Sequence, residues 1–199
     1  MPLYKAVLFD FDGTLTRPGA LDLQSVRRML NVPPGTIILE FIQALSPEAR
    51  PEAMRRLEEI EIAGARNASP NAGAEDLVRL LAAEGVRRGI VTNNCPASVT
   101  QAMKAFPRIS LADFDIVVHR ENAPRPKPHP EGVQFAAGLL GVSPAEVLVI
   151  GDYVFDMEAG RRAGAPTAFL TNGTDPPAMT EPPTYVITSL LEVPQILGL

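Results

Sequence analysis

Two aspartates stand two positions apart in Leu8-Phe9-Asp10-Phe11-Asp12-Gly13-Thr14, where the first apolar run of the chain meets a turn. Side chains along an extended segment alternate between faces, so Asp10 and Asp12 share one face if the strand geometry persists. Two carboxylates held that close repel each other, and a bound proton or a divalent cation is the usual relief. Both remedies suit chemistry on a phosphate. Gly13 admits backbone conformations barred to other residues, and Thr14 adds a hydroxyl and a backbone donor after the turn. An isolated Asp-x-Asp triplet serves equally well as a turn former, so its meaning depends on what the rest of the chain brings to it.

Three other places bring reactive groups to the end of an apolar run. Thr92-Asn93 close the run that begins at Val86, Lys127 lies in the stiff stretch Pro124 to Pro130 that follows the run from Phe114 to His119, and Gly151-Asp152, with Asp156 four residues on, close the run from Glu146 to Ile150. In open α/β sheets, ligands collect outside the carboxyl ends of the strands. Four strand ends carrying carboxylates, a hydroxyl and an ammonium group are more than turn chemistry requires. Asp10 or Asp12 could attack phosphorus as a covalent nucleophile, while the other carboxylate of the pair donates a proton to the leaving alcohol and later takes one from water. An anionic nucleophile approaching an anionic phosphate needs a cation beside it. Asp152 and Asp156 supply the oxygen ligands that a hard Mg2+ would use. Lys127 neutralises phosphoryl oxygens, and Thr92 with the backbone donors after it, including that of Asn93, hydrogen-bonds them.

The elements that must position these groups follow from periodicity. Ala6 to Phe9 is an unbroken apolar run, as befits a buried parallel strand. Three amphipathic stretches follow without a strand between them: one carries Leu21, Leu23, Val26, Met29 and Leu30, the next Ile37 to Leu45, and the third runs from Pro47 to Arg66. Helices in succession after a first strand indicate an insertion, a small helical cap over residues 17–72, into a core formed by 1–16 and 73–199. From Gly73 the pattern alternates. Helices are expected over Ala74 to Glu84, Pro96 to Phe106, Glu131 to Leu140 and Met157 to Ala163. Strands are expected over Val86 to Thr92, Phe114 to His119, Glu146 to Ile150, Thr167 to Leu170 and Tyr185 to Thr188, before a terminal helix. Gly151 to Asp156 reads as loop. Alternation of this kind implies an α/β fold, a Rossmann-like three-layer α/β/α core around a parallel sheet.

As a set, Asp10-Phe11-Asp12-Gly13-Thr14, Thr92-Asn93, Lys127 before Pro128, and Gly151-Asp152 with Asp156 resemble the four motifs of the haloacid dehalogenase superfamily of phosphohydrolases, in that family's order, over residues 8 to about 165. The resemblance implies Asp10 as nucleophile forming an aspartyl-phosphate, Asp12 as general acid/base, and Thr92 and Lys127 as phosphate ligands. It also implies Mg2+ on Asp10, Asp152 and the Asp12 main-chain carbonyl, with Asp156 supporting the metal. A cap between the first two motifs is similar to that of the phosphoglycolate phosphatase and β-phosphoglucomutase branch. Members that cleave carbon–halogen bonds generally lack the second aspartate, so Asp12 points to phosphate esters. Tyr153 departs from the serine that close relatives often carry there.

The expected activity is Mg2+-dependent hydrolysis of a small phosphate monoester. A phosphomutase is the alternative within enzymes, and a non-catalytic phosphate-binding module the alternative outside them. Net charge of −5 and a pI near 5.1 argue against nucleic acid or an anionic membrane as partner. The chain has one cysteine, Cys95, and no run approaching the ~20 apolar residues of a membrane span. These features fit a reducing, cytoplasmic setting and a monomer or homodimer. His129 reads as a solvent-facing residue or loop brace, His119 as a strand end, Cys95 as a packed thiol, Arg17 and Arg125 equally as binders of an anionic substrate or as exposed loop cations, and the charges from Glu48 to Arg66 as a solvated helix face.

Overall fold

A computed structural model of the chain describes residues 2–199. Six strands make one parallel sheet: β1 (Ala6–Phe9), β2 (Arg87–Val91), β3 (Ile116–Val118), β4 (Val147–Gly151), β5 (Thr167–Leu170) and β6 (Tyr185–Ile187). Their spatial order is β3-β2-β1-β4-β5-β6. The chain winds outward from β1 to β3, then returns to lay β4 on the other side of β1. A crevice opens between the carboxyl ends at such a reversal.

The alternation of side chains in β1 sets up the layers. Val7 and Phe9 face a core completed by α4 (Ala74–Ala83), α5 (Pro96–Met103) and α8 (Val193–Leu197). Ala6 and Leu8 face the opposite core, completed by α6 (Glu131–Leu140) and α7 (Val154–Ala163). All four residues of β1 are fully buried, so the strand is covered on both faces. Gly141 and Gly164 close α6 and α7 in the left-handed conformation that stops a helix cleanly.

Between β1 and α4 lie α1 (Leu23–Met29), α2 (Ile38–Ala44) and α3 (Arg50–Ala65), with a core of their own around Val26, Leu39, Ile42 and Leu57. The Asp22 side chain caps α1 by accepting from Gln24 N–H at 2.9 Å. The two passages joining this helical unit to the sheet run side by side. Thr16 bridges Pro70, and the Arg17 N–H donates to the Ser69 carbonyl at 2.9 Å.

The pattern read in the sequence shifts at several boundaries; the helix expected to Phe106, for one, ends at Met103. The third helix starts at Arg50, because Ser46 closes a turn onto Ala49. The edge strand β3 keeps only three of the six residues expected. The expected loop at Gly151 to Asp156 is already helical from Val154, which places Asp156 in the first turn of α7. Among the described residues no helix is long and apolar enough to cross a membrane.

Candidate active site

At the end of β1 the Asp10 N–H still donates to Ile150 in β4, at 2.8 Å, so the register of the sheet fixes where this residue sits. The next five residues coil into a single wide turn closed by Thr16 N–H to the Phe11 carbonyl, with Gly13 at φ +76°. The strand geometry therefore stops at Asp10. Gly13 is required twice over: its positive φ disfavours a side chain, and a Cβ there would lie 2.0 Å from Asp152 Oδ2. Amide side chains from distant segments hold the turn. Asn172 donates to the Gly13 carbonyl at 2.8 Å, and Asn71 to the Thr14 carbonyl at 3.0 Å.

Within this turn Asp12 has hydrogen-bond partners of its own. Asn94 Nδ2 donates to Asp12 Oδ2 at 2.6 Å, and the Thr16 hydroxyl lies 3.4 Å from Oδ1. Burial pushes the Asp12 carboxyl up to about 6, with the Asn94 bond opposing and the Asp10 and Glu61 charges adding to the rise. It is poised to exchange a proton near neutrality.

Lys127 occupies the centre. Its Nζ donates to Asp10 Oδ1 and to Asp156 Oδ1, each at 2.6 Å, and the side chain is buried. Burial alone would lower the ammonium's affinity for its proton; the two carboxylates outweigh burial and hold its pKa above the ordinary lysine value. The lysine is placed by its backbone. Asn93 Oδ1 accepts from the Lys127 N–H at 2.8 Å, and Asn93 Nδ2 donates to the Lys127 carbonyl at 2.9 Å. The Asn93 side chain is thus committed to the lysine segment. One Nδ2 hydrogen and the backbone N–H of Asn93 are its remaining donors.

Carboxylate oxygens of Asp10, Asp152 and Asp156 lie within 4.8 Å of one another. Burial first, then the Asp10 and Asp156 charges, push Asp152 up to about 8, and burial with Asp10 likewise raises Asp156. The crowding is built in. Gly151, like Gly13, leaves room that a Cβ would fill, at 2.2 Å from Asp156 Cγ. Asp156 Oδ2 accepts from the Tyr153 N–H at 3.2 Å, which orients its other oxygen towards the site. Three hard oxygen donors this close, against the single ammonium of Lys127, suit a divalent cation such as Mg2+. The Asp12 carboxylate is not one of the three.

One cavity of about 220 Å³ is lined by Asp10, Asp12, Thr92, Asn93, Lys127, Asp152 and Asp156, so every site residue read from the sequence reaches it. Leu21, Val26, Ile38 and Leu57 of the helical unit form its opposite, apolar wall. Tyr153 sits at the rim, its ring edge-on to Phe155 at 4.9 Å. Thr92 is buried, its N–H bonded to Val118 and its Oγ1 accepting from Asn94 N–H at 3.2 Å.

Of the residues set aside, His129 lies between Arg125, at 2.9 Å, and Glu40 of α2, at 3.3 Å. The His119 ring accepts from the Glu121 N–H. Cys95 is buried, its Sγ accepting from Ser98 N–H, and burial pushes the thiol up to about 11. Glu61 corrects the expectation of a solvated helix face. It is buried, accepts from Cys95 N–H at 3.1 Å and pairs with Arg120 at 2.6 Å. The local sequence marks Asn94 only as the neighbour of Thr92-Asn93. Asn71, Asn172, Glu61 and Arg120 carry no local signal.

Comparison with known proteins gives the family and the fold. The sequence profile of the haloacid dehalogenase-like hydrolases matches residues 7–170. The chain is 34% identical to the uncharacterized hydrolase YOR131C of Saccharomyces cerevisiae, over 98% of this chain and 90% of that protein. It is 32% identical to the N-acetylmuramic acid 6-phosphate phosphatase of Pseudomonas aeruginosa, over 85% and 82%. Its fold matches that of CbbY from Rhodobacter sphaeroides, solved in complex with phosphate, with a TM-score of 0.76 at 20% identity over 98% of this chain and 100% of that one.

Proposed function

Since the chain belongs to the haloacid dehalogenase-like hydrolases, we propose that it is a Mg2+-dependent phosphatase which hydrolyses a small phosphate monoester through an aspartyl-phosphate on Asp10. The observation that carries this reading is the buried Lys127 ammonium shared between Asp10 and Asp156, with Asp152 alongside. A nucleophilic carboxylate, a fixed cation and two further carboxylates meet at one point. Asp10, Asp152 and Asp156 would hold the metal, which supplies positive charge against the phosphoryl oxygens.

The chain's own groups divide the work. Lys127 and the donors of the Thr92–Asn93 segment bind the phosphoryl oxygens and aim phosphorus at Asp10. An Asp10 oxygen forms a bond to phosphorus as the ester P–O bond breaks, and Asp12 gives its proton to the departing alkoxide. Asp12, now a carboxylate, takes a proton from water. That water attacks phosphorus, breaks the acyl-phosphate bond, releases inorganic phosphate and restores Asp10. The raised pKa of Asp12 suits both halves, because a carboxyl near 6 gives and regains a proton at similar cost.

The helical unit over residues 17–72 is proposed as the lid of this site. Its apolar wall and the size of the cavity favour a compact organic group. The name of the Pseudomonas relative adds sugar phosphates to the candidates. The test is a phosphate-release screen of phosphoglycolate, sugar phosphates and nucleotides, with and without Mg2+. Turnover that requires Mg2+ and disappears in Asp10→Asn supports the assignment. A requirement for a sugar bisphosphate would identify a mutase, and near wild-type hydrolysis by Asp10→Ala would overturn the role of Asp10.

A further inference from the structure

Glu61 is out of place among the charges of α3. Most of its neighbours on that helix are solvated, but its carboxylate is 4% exposed and enters the seam between the helical unit and the sheet domain. There it meets Arg120, 10% exposed, at 2.6 Å, and the Cys95 N–H at 3.1 Å. Arg120 turns back on the same segment. Its guanidinium donates to the Asn93 carbonyl at 3.4 Å and its own N–H donates to the Asn94 carbonyl at 3.0 Å.

The ion pair therefore holds the Asn93 C=O through the Arg120 guanidinium and the Cys95 N–H through the Glu61 carboxylate, while the Arg120 backbone holds the Asn94 C=O between them. Those groups follow directly on Thr92, in a segment whose residues Thr92, Asn93 and Asn94 line the cavity. Asn94 also carries the hydrogen bond to Asp12, and Asn93 the clamp on Lys127. A buried ion pair is poor value for stability alone, since an apolar pair of similar volume usually does as well. This pair is aimed at the backbone of the segment that the reaction uses, and only one of its members belongs to that side of the seam.

We infer that Glu61 and Arg120 are a positioning pair through which docking of the helical unit sets the backbone of the phosphate-binding segment 92–95. The inference rests on the reading of that segment as a phosphate site. Energetic coupling is reciprocal, so phosphate bound at the segment must favour the docked position of α3 to the same degree that docking favours phosphate.

Cys95 is the single cysteine of the chain and lies buried at this seam, so its alkylation by N-ethylmaleimide reports on docking without a label being added. In the wild-type protein, inorganic phosphate with Mg2+ should slow alkylation by about 5-fold or more, the lower end of ordinary coupling. Glu61→Ala and Arg120→Ala should abolish that slowing, weaken inhibition by inorganic phosphate by a similar factor, and raise KM more than they lower kcat. Glu61→Gln keeps one acceptor for two donors and should fall between. If the alanine variants do not fold, Glu61→Gln and Arg120→Lys carry the same readouts. Wild-type phosphate protection and KM in the variants would overturn the inference, as would a wild-type alkylation rate indifferent to phosphate. Protection without turnover on any phosphate ester would instead defeat the hydrolase reading and leave the coupling standing.

Discussion

Lys127 Nζ lies 2.6 Å from Asp10 Oδ1, although 117 residues separate the two in the chain. The contact joins the end of β1 to the segment after β3, and the same ammonium reaches Asp156 in α7 at 2.6 Å. Three strand ends are thereby tied at one buried cation. The lysine offsets two negative charges that burial would otherwise make costly.

Replacing Lys127 by methionine removes that cation and keeps the length of the apolar stem. Breaking a buried pair by deleting one partner costs about 3–5 kcal/mol, because the remaining charges are left uncompensated. Urea unfolding of the cation-free protein should show a loss of this order, partly recovered by Mg2+. Phosphate-ester turnover should fall by ~10² or more even where the protein is folded.

The two aspartates of the first turn should separate kinetically. Asp10→Asn should reduce turnover to background and leave no hydroxylamine-sensitive phosphoenzyme. Asp12→Asn should cost roughly 10² to 10⁴ in turnover, and least with a good leaving group such as an aryl oxide that needs no proton. Asn94→Ala removes a bond that favours the charged form of Asp12. The alkaline limb of kcat/KM that reports Asp12 should therefore move to higher pH.

Stability of the cation-free protein should fall with rising pH. Asp12, Asp152 and Asp156 all hold their protons more tightly folded than unfolded, with Asp12 near 6 and Asp152 near 8. Between about pH 4 and 8 the native state binds more protons than the unfolded chain, so unfolding becomes easier across that window. Mg2+ should act in the opposite sense. At about 100 times its Kd a bound ligand contributes ~2.7 kcal/mol, or roughly 5–10 °C in Tm for a chain of this size, and the gain should be larger at pH 8 than at pH 5. Thermal scans with and without Mg2+ at the two values check both slopes.

Gly13→Ala should harm the site more than its size suggests. The residue sits at φ +76°, which costs a side chain about 1–2 kcal/mol, and the new methyl would have to displace the Asp152 carboxylate. Calorimetric titration should show Mg2+ affinity lowered by tenfold or more. Gly138→Ala, in α6 with open space around the position, should be neutral or slightly stabilising.

Much of this molecule is legible one segment at a time. The apolar runs, their alternation with helical periods and the helical stretch after β1 give the α/β class and the parallel sheet, because burial patterns and turn residues act over a few positions. The strand ends carry Asp10, Thr92 and Asp152, and the segment after β3 carries Lys127; all four line one cavity. Which neighbour does what is another matter. Asn93 and Asn94 are adjacent and chemically identical, yet one clamps Lys127 and the other bonds Asp12. Glu61 is one acid among many on α3, singled out by the seam that buries it against Arg120. Composition and spacing determine which groups the chain can bring to the sheet's edge. Only the packed structure decides their partners, because burial, hydrogen bonding and charge repulsion depend on distances across the fold that no local pattern encodes.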